Sequence, residues 1–441
     1  MTAQPRLSAH FAARNPSPIR LAQIEFAKRQ DGTKAINVAI GNVSLPMHPA
    51  MTARLAALAA PGGPLAGGVL RYTASVGTDE CRGAFLHILR SSGLATEGLQ
   101  VQITDGGSAA MELVLLGVCG PAGSGERPLL VLDPLYTNYL AFAERLGRRV
   151  VALRRTLGRD GRFALPSEAE VEALIAKEQP AALLVIPYDN PTGQLFDRPT
   201  MNALGRLCVK HNLWFISDEA YRELNYTSEA SPSVWAVTEA SVPGITGRRI
   251  SIESASKVWN ACGLRIGGLI TDNAEFHRRS VAESTASLCA NAIGQAVFGA
   301  LGQVPHAELQ QWYGQQREYY RQQMVQLSED LGRLLPGLRV SSPAASIYTV
   351  VDLQDIVKPG FSGLDFVGWC AREGRVPVGG QAYTLLTAPL TGFYQVAPGQ
   401  PDPGATQLRI AFVGTPEESR LIPGLLAQLL KDYEAGRGTR V

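Results

Sequence analysis

Leu213-Trp214-Phe215-Ile216-Ser217-Asp218-Glu219-Ala220-Tyr221 runs from an unbroken apolar stretch into an acidic, aromatic turn. A short continuous apolar run suits a strand buried on both faces, and a side chain at its carboxyl end points into the crevice where open α/β sheets bind ligands. The segment before it, 201–211, has helical spacing of apolar residues, and 181–186 is a second buried strand. Working outward, helices are expected at 19–30, 80–90, 109–118 and 138–146, with strands at 35–40 and 129–132. Alternation of this kind predicts an α/β chain whose mostly parallel sheet is covered on both faces. Beyond residue 300 the character changes. A long polar helix at 310–334 leads to strands at 346–351, 375–378 and 408–413 and helices at 364–373 and 416–433.

Bulk properties narrow the partners. A chain of 441 residues is long enough for two or three domains, and its 41 basic residues nearly balance 39 acidic ones. No basic tail or charge block marks nucleic acid or a membrane surface as the main partner, which leaves a small molecule. The longest apolar stretch is far short of the about 20 residues that span a bilayer. Arg6, Arg14 and Arg20 precede the first acid, Glu25, as in a transit peptide, but Pro5, Pro16 and Pro18 interrupt any amphipathic helix. The stretch therefore reads as an N-terminal arm, and the cytoplasm is the expected compartment. Six cysteines and six histidines lie scattered, with no CxxC and no HExxH. That spacing gives no metal site and no disulfide framework, and buried free thiols are expected.

The chemistry-bearing residues surround Asp218. Lys257, in Ser254-Ala255-Ser256-Lys257, is followed by Arg265 in Gly263-Leu264-Arg265-Ile266-Gly267. A lysine that forms an imine must be partly deprotonated and fixed, small hydroxyls beside it bind phosphate, and an arginine clamps phosphate with parallel donors. Taken alone, most lysines are solvated. Upstream, Asp218 at a strand end suits the pyridine nitrogen of pyridoxal phosphate, and Tyr221 suits its phenolic oxygen. Asn190, in Asn190-Pro191-Thr192-Gly193, is a neutral donor to the same oxygen. Gly106-Gly107-Ser108 opens a helix, where backbone N–H groups seat a phosphate. Each has a bland counterpart: a helix cap for Asp218, a turn for the other two.

Together and in this order, these motifs resemble the aminotransferase class I and II family of fold-type I pyridoxal-phosphate enzymes, the aspartate aminotransferase superfamily. The resemblance implies a seven-stranded, mostly parallel sheet in a large domain (46–305). A small α/β domain would come from both chain ends (1–45 and 306–441). It makes Lys257 the Schiff-base lysine and general base. Gly106, Gly107, Ser108, Ser254 and Arg265 become a phosphate cup, with Asp218, Asn190 and Tyr221 on the ring. By the same resemblance Tyr136 stacks on the cofactor, and Tyr72 reaches the phosphate of a neighbouring subunit, which implies a homodimer with shared sites. Arg409 and Gly41 hold the substrate α-carboxylate. The implied activity is transamination between an α-amino acid and a 2-oxo acid. Elimination, replacement or cyclisation, on an amino acid such as S-adenosylmethionine, is the alternative.

Two other classes are set aside. The arm before Gly41 is too short for the DNA-binding module of a pyridoxal-phosphate regulator. Gly263-x-x-x-Gly267-Gly268 lacks the GxGxxG spacing of a NAD-linked dehydrogenase. Departures from the family pattern are Ala344-Ala345 and Gly379-Gly380 where Gly-Gly and Pro-Gly are usual, a Gly-rich stretch at 61–68, and a Pro- and Gly-rich loop at 388–404. Such loops cover substrates or merely elaborate a surface.

Overall fold

A computed structural model describes residues 5–123, 125, 127–397 and 399–437, so Pro398 of the 388–404 loop lies outside the described residues. The strand that opens the sequence reading is Trp214–Asp218, the centre of a seven-stranded sheet. The order is Gln100–Thr104, Gly267–Thr271, Arg249–Ser254, Trp214–Asp218, Ala182–Val185, Leu129–Asp133, Val150–Arg154. Gly267–Thr271 is antiparallel to both neighbours, placing Gly267 opposite Thr104 on one side and Ser254 on the other. The remaining pairs are parallel, with Asp218 opposite Ile252. Thr104, Asp133, Val185, Asp218 and Ser254 therefore end on one edge of the sheet. The chemistry gathers on that edge.

Four of these strands differ from the sequence reading, which placed none at Gln100–Thr104, Val150–Arg154, Arg249–Ser254 or Gly267–Thr271. Interior polar residues hide two of them, Gln100–Thr104 and Arg249–Ser254. Gln102 is fully buried, yet its amide takes the Ser280 hydroxyl at 2.6 Å and donates to Ser284 at 2.6 Å. Glu253 is buried against Arg222. Satisfied polar groups of this kind break a continuous apolar run without weakening the strand.

Helix boundaries follow their caps. Asp197 accepts the Thr200 amide and starts Arg198–Lys210, three residues ahead of the expected helix. Ser167 and Glu170 form a capping box for Glu168–Glu178. The long helix is His306–Leu334, and it buries a stripe from Leu309 through Trp312, Tyr313, Tyr320 and Leu327 to Leu331. Its polar face remains outside. Among the described residues no helix is long and apolar enough to cross a membrane. Cys81, Cys119, Cys208 and Cys370 are buried free thiols, whereas Cys262 and Cys289 are partly exposed, contrary to the expectation for all six.

Beyond the long helix, Arg339–Val340, Tyr348–Asp352, Gln407–Ala411 and Ala388–Pro389 form an antiparallel sheet. A separate sheet pairs Lys34–Asn37 in parallel with Gln381–Leu386, which also pairs with Val376–Val378. The chain start is thus stitched to its distant end. Val38 continues the pairing by donating to the Leu386 carbonyl and accepting from the Ala411 amide, both at 2.9 Å, and so delivers Gly41 to the crevice. Besides the main core, a small apolar cluster joins Ala39, Leu157, Phe163, Val350, Ala388, Leu390, Phe393 and Tyr394.

Candidate active site

Asp218 ends its strand at the floor of the crevice. It caps no helix. Its carboxylate accepts the Tyr139 hydroxyl at 2.6 Å and the Ala220 amide at 3.2 Å, and among the described residues no lysine or arginine pairs with it. Burial raises its pKa above the ordinary carboxylate value, against the lowering effect of those two hydrogen bonds. A carboxylate held this way gains most from a cationic ligand. Beside it, Asn190 donates to the Tyr221 hydroxyl at 3.4 Å, and the Tyr221 and Tyr348 hydroxyls lie 3.1 Å apart. Burial lifts the Tyr221 phenol well above its usual pKa, so it remains a neutral donor. Tyr136 stands edge-on to Tyr139, with ring centroids 5.4 Å apart, and burial raises its pKa to about 12.

The second wall is the start of the Gly106–Cys119 helix. Gly106, Gly107 and Ser108 form its first turn, and Gly106 enters it at φ +81°, a backbone conformation that favours glycine. A Cβ on Gly106 would run into the Arg265 guanidinium, and one on Gly267 would come within 2.5 Å of the Gly106 carbonyl carbon. Only glycine permits this approach. Asp105 leaves the helix start uncapped, its carboxylate accepting the Asn291 amide instead. Exposed Arg265 reaches across, held by the Cys262 carbonyl at 3.0 Å, and Ser254 stands opposite Gly107. Backbone donors, a hydroxyl and an available guanidinium converge as phosphate requires.

Lys257 enters between these walls from the turn after Arg249–Ser254, and its Nζ donates to the Gly41 carbonyl. Gly41 has no room for a side chain, because a Cβ there would collide with the Tyr348 hydroxyl. Arg409 lies close by and is only 4% exposed. It donates to Asn190 Oδ1 at 2.9 Å and to the Ala39 carbonyl at 2.7 Å. Its guanidinium carbon is 4.4 Å from the Tyr348 ring centre and 5.3 Å from that of Phe393, while its Nε is buried without a partner. An unmatched buried donor calls for an acceptor, and a carboxylate supplies one.

Several supporting residues escaped the sequence reading. Arg155 is 1% exposed and pairs with Asp189 at 2.8 Å, while donating to the carbonyls of Asp133 and Pro134. It ties the loop before Asn190 to the loop before Tyr136. Arg222 bridges Glu219 at 2.6 Å and Glu253 at 2.5 Å, fixing the ends of the two strands that carry Asp218 and Ser254. Burial raises Glu219 to about 7, against the pull of Arg222. Tyr348, whose hydroxyl meets Tyr221 and whose ring lies by Arg409, also went unassigned. Glu219 and Arg222 are only three residues apart, but nothing local in sequence marks the Arg155–Asp189 and Arg222–Glu253 pairings, whose partners lie far apart in the chain. Tyr72 stands apart from the assembled residues, 78% exposed.

The profile described as aminotransferase class I and II matches residues 33–417. The arginine–pyruvate transaminase AruH of Pseudomonas aeruginosa is 32% identical over 266 residues, covering 60% of this chain and 63% of that relative. An aspartate aminotransferase of Musicola paradisiaca is 23% identical over 374 residues, 83% of this chain and 84% of the relative. Among solved structures, a Thermus thermophilus aspartate aminotransferase single mutant superposes with a TM-score of 0.78 at 22% identity, covering 97% of this chain and 100% of the other. That likeness shows the fold.

Proposed function

Because the chain belongs to the aminotransferase class I and II family, we propose that it moves the amino group of an α-amino acid to a 2-oxo acid with pyridoxal phosphate joined to Lys257. The observation that carries the reading is Asp218, a half-buried carboxylate that no lysine or arginine among the described residues pairs with, on the same crevice edge as Lys257. When bound, the cofactor supplies an electron sink for a breaking Cα–H bond. Asp218 would hold the pyridine nitrogen protonated, Asn190 and Tyr221 would donate to the phenolic oxygen, and Tyr136 would stack on the ring. The helix start at Gly106, Gly107 and Ser108, with Ser254 and Arg265, would hold the phosphate.

Arg409 and the Gly41 backbone would bind the substrate carboxylate and fix the Cα–H bond toward Lys257. The Nζ amine of Lys257 would then take the Cα proton as general base and, in transamination, return it to the cofactor's C4′ carbon. Tyr72, exposed in one protomer, would complete the phosphate site of a second, making the active unit a homodimer. The division into a large domain (46–305) and a small one built from both ends belongs to this reading, as does a cytoplasmic location. The relatives support transamination over elimination, replacement or cyclisation.

The test is spectroscopic. Borohydride reduction of cofactor-loaded protein should leave a modified peptide at Lys257. A panel of amino acids that includes arginine and aspartate, added without oxo acid, should shift the cofactor absorbance for the true donor. An unmodified Lys257 in loaded protein would overturn the reading.

A further inference from the structure

The 388–404 loop does more than elaborate a surface. Phe393 and Tyr394 are 3% and 4% exposed, so the loop folds back into the small apolar cluster with Ala39 and Leu390. It is then fastened to the crevice edge by main-chain bonds. The Leu135 amide donates to the Phe393 carbonyl at 2.8 Å, the Gln395 amide to Asp133 Oδ2 at 2.6 Å, and Arg154 to the Gln395 carbonyl at 3.2 Å. These anchors sit beside Tyr136. At its other end the loop joins Gln407–Ala411, the strand that carries Arg409.

The Arg409 guanidinium carbon therefore lies over the Phe393 ring at 5.3 Å and over the Tyr348 ring at 4.4 Å. Two of the arginine's donors are committed to Asn190 and the Ala39 carbonyl, and Nε alone is buried without a partner. Rings packed against a guanidinium hold its plane, and the plane decides where the remaining donors point.

We propose that the 388–404 segment is a strap whose Phe393 positions Arg409, so that docking of the strap on Asp133 and Leu135 sets the affinity of the site for the substrate carboxylate. This rests on the reading of Arg409 as the carboxylate ligand. Phe393 is a positioning residue: it acts through the arginine and leaves the cofactor residues untouched.

Phe393→Leu keeps an apolar side chain in the cluster but removes the ring face. Gln395→Pro deletes the amide that donates to the Asp133 carboxylate. Each should raise KM for the donor found in the amino-acid panel by roughly tenfold, the scale of a desolvated cation–π contact. In both, kcat should stay within about twofold and the absorbance of bound cofactor should not change. Amide exchange at Leu135 and Phe393 should quicken in Gln395→Pro, a readout independent of turnover. Arg409→Gln serves as the control. If Arg409→Gln abolishes donor binding while both strap variants keep a normal KM, the strap proposal fails and the arginine reading stands. If Arg409→Gln leaves KM unchanged, the arginine reading fails and the strap proposal with it.

Discussion

The floor of the crevice and the Arg409 corner are built in opposite ways. On the floor, Asp218, Asn190, Ser254 and Gly106 lie at or just beyond the carboxyl ends of strands in a single sheet, so strand register alone brings them together. At the corner, Gly41, Tyr348, Phe393 and Arg409 come from separate stretches of chain, joined by two small sheets and a minor apolar cluster. A floor set by a large sheet takes its geometry from strand register, with Asn190 and Tyr221 linking it to Arg409 and Tyr348. A corner assembled from distant segments is coupled, because moving one member moves the arginine. Floor variants should therefore disturb the cofactor, and corner variants should disturb amino-acid binding while sparing it.

The largest expected effect lies on the floor. Lys257→Ala should reduce transamination by roughly 10,000-fold through loss of the proton-moving amine, with the fold retained on circular dichroism. Single-turnover assays with amino acid would check it, and a residual rate within tenfold of wild type would contradict the role given to Lys257. Next comes the corner. Arg409→Gln should lower kcat/KM on the order of 100- to 1,000-fold, the scale of truncating a buried charged donor, while cofactor absorbance persists. Loss of the cofactor signal would merge the two regions and break the contrast.

Smaller effects sharpen it. Gly41→Ala drives a Cβ into the Tyr348 hydroxyl and should cost on the order of tenfold to a hundredfold in kcat/KM by displacing the corner. Adding Tyr348→Phe should recover part of that loss, which steady-state kinetics of the pair would reveal.

The smallest concerns the strap anchor. Burial raises the Asp133 carboxyl from 3.8 to about 7, opposed by the Gln395 amide and by Arg155. Between those values the folded state holds a proton that the unfolded chain releases, so this group's contribution to stability declines as pH rises from about 4 to about 7. Asp133→Asn removes that slope while leaving an oxygen to accept the Gln395 amide. The difference in Tm between pH 5 and pH 8 should shrink by about 2 °C, measured by calorimetry. Glu219, also raised to about 7, keeps part of the dependence in the variant.

By itself, the sequence determined the α/β class and the positions whose chemistry is written locally. The apolar run ending at Asp218, the lysine after paired serines and the glycines before a helix are recognisable because each needs only its immediate neighbours. The structure brings Lys257, Asp218, Asn190, Tyr221, Ser254 and Arg265 to one crevice edge, and Arg409 and Gly41 beside it. Tertiary structure alone decided which polar residues could lie inside strands, because Gln102 and Glu253 find their partners 178 and 31 residues away. It alone set Phe393 and Tyr348 against one guanidinium and closed the Arg155–Asp189 pair between two loops. A buried charge is tolerated only where distant segments meet to satisfy it, and no local pattern of residues records where they meet.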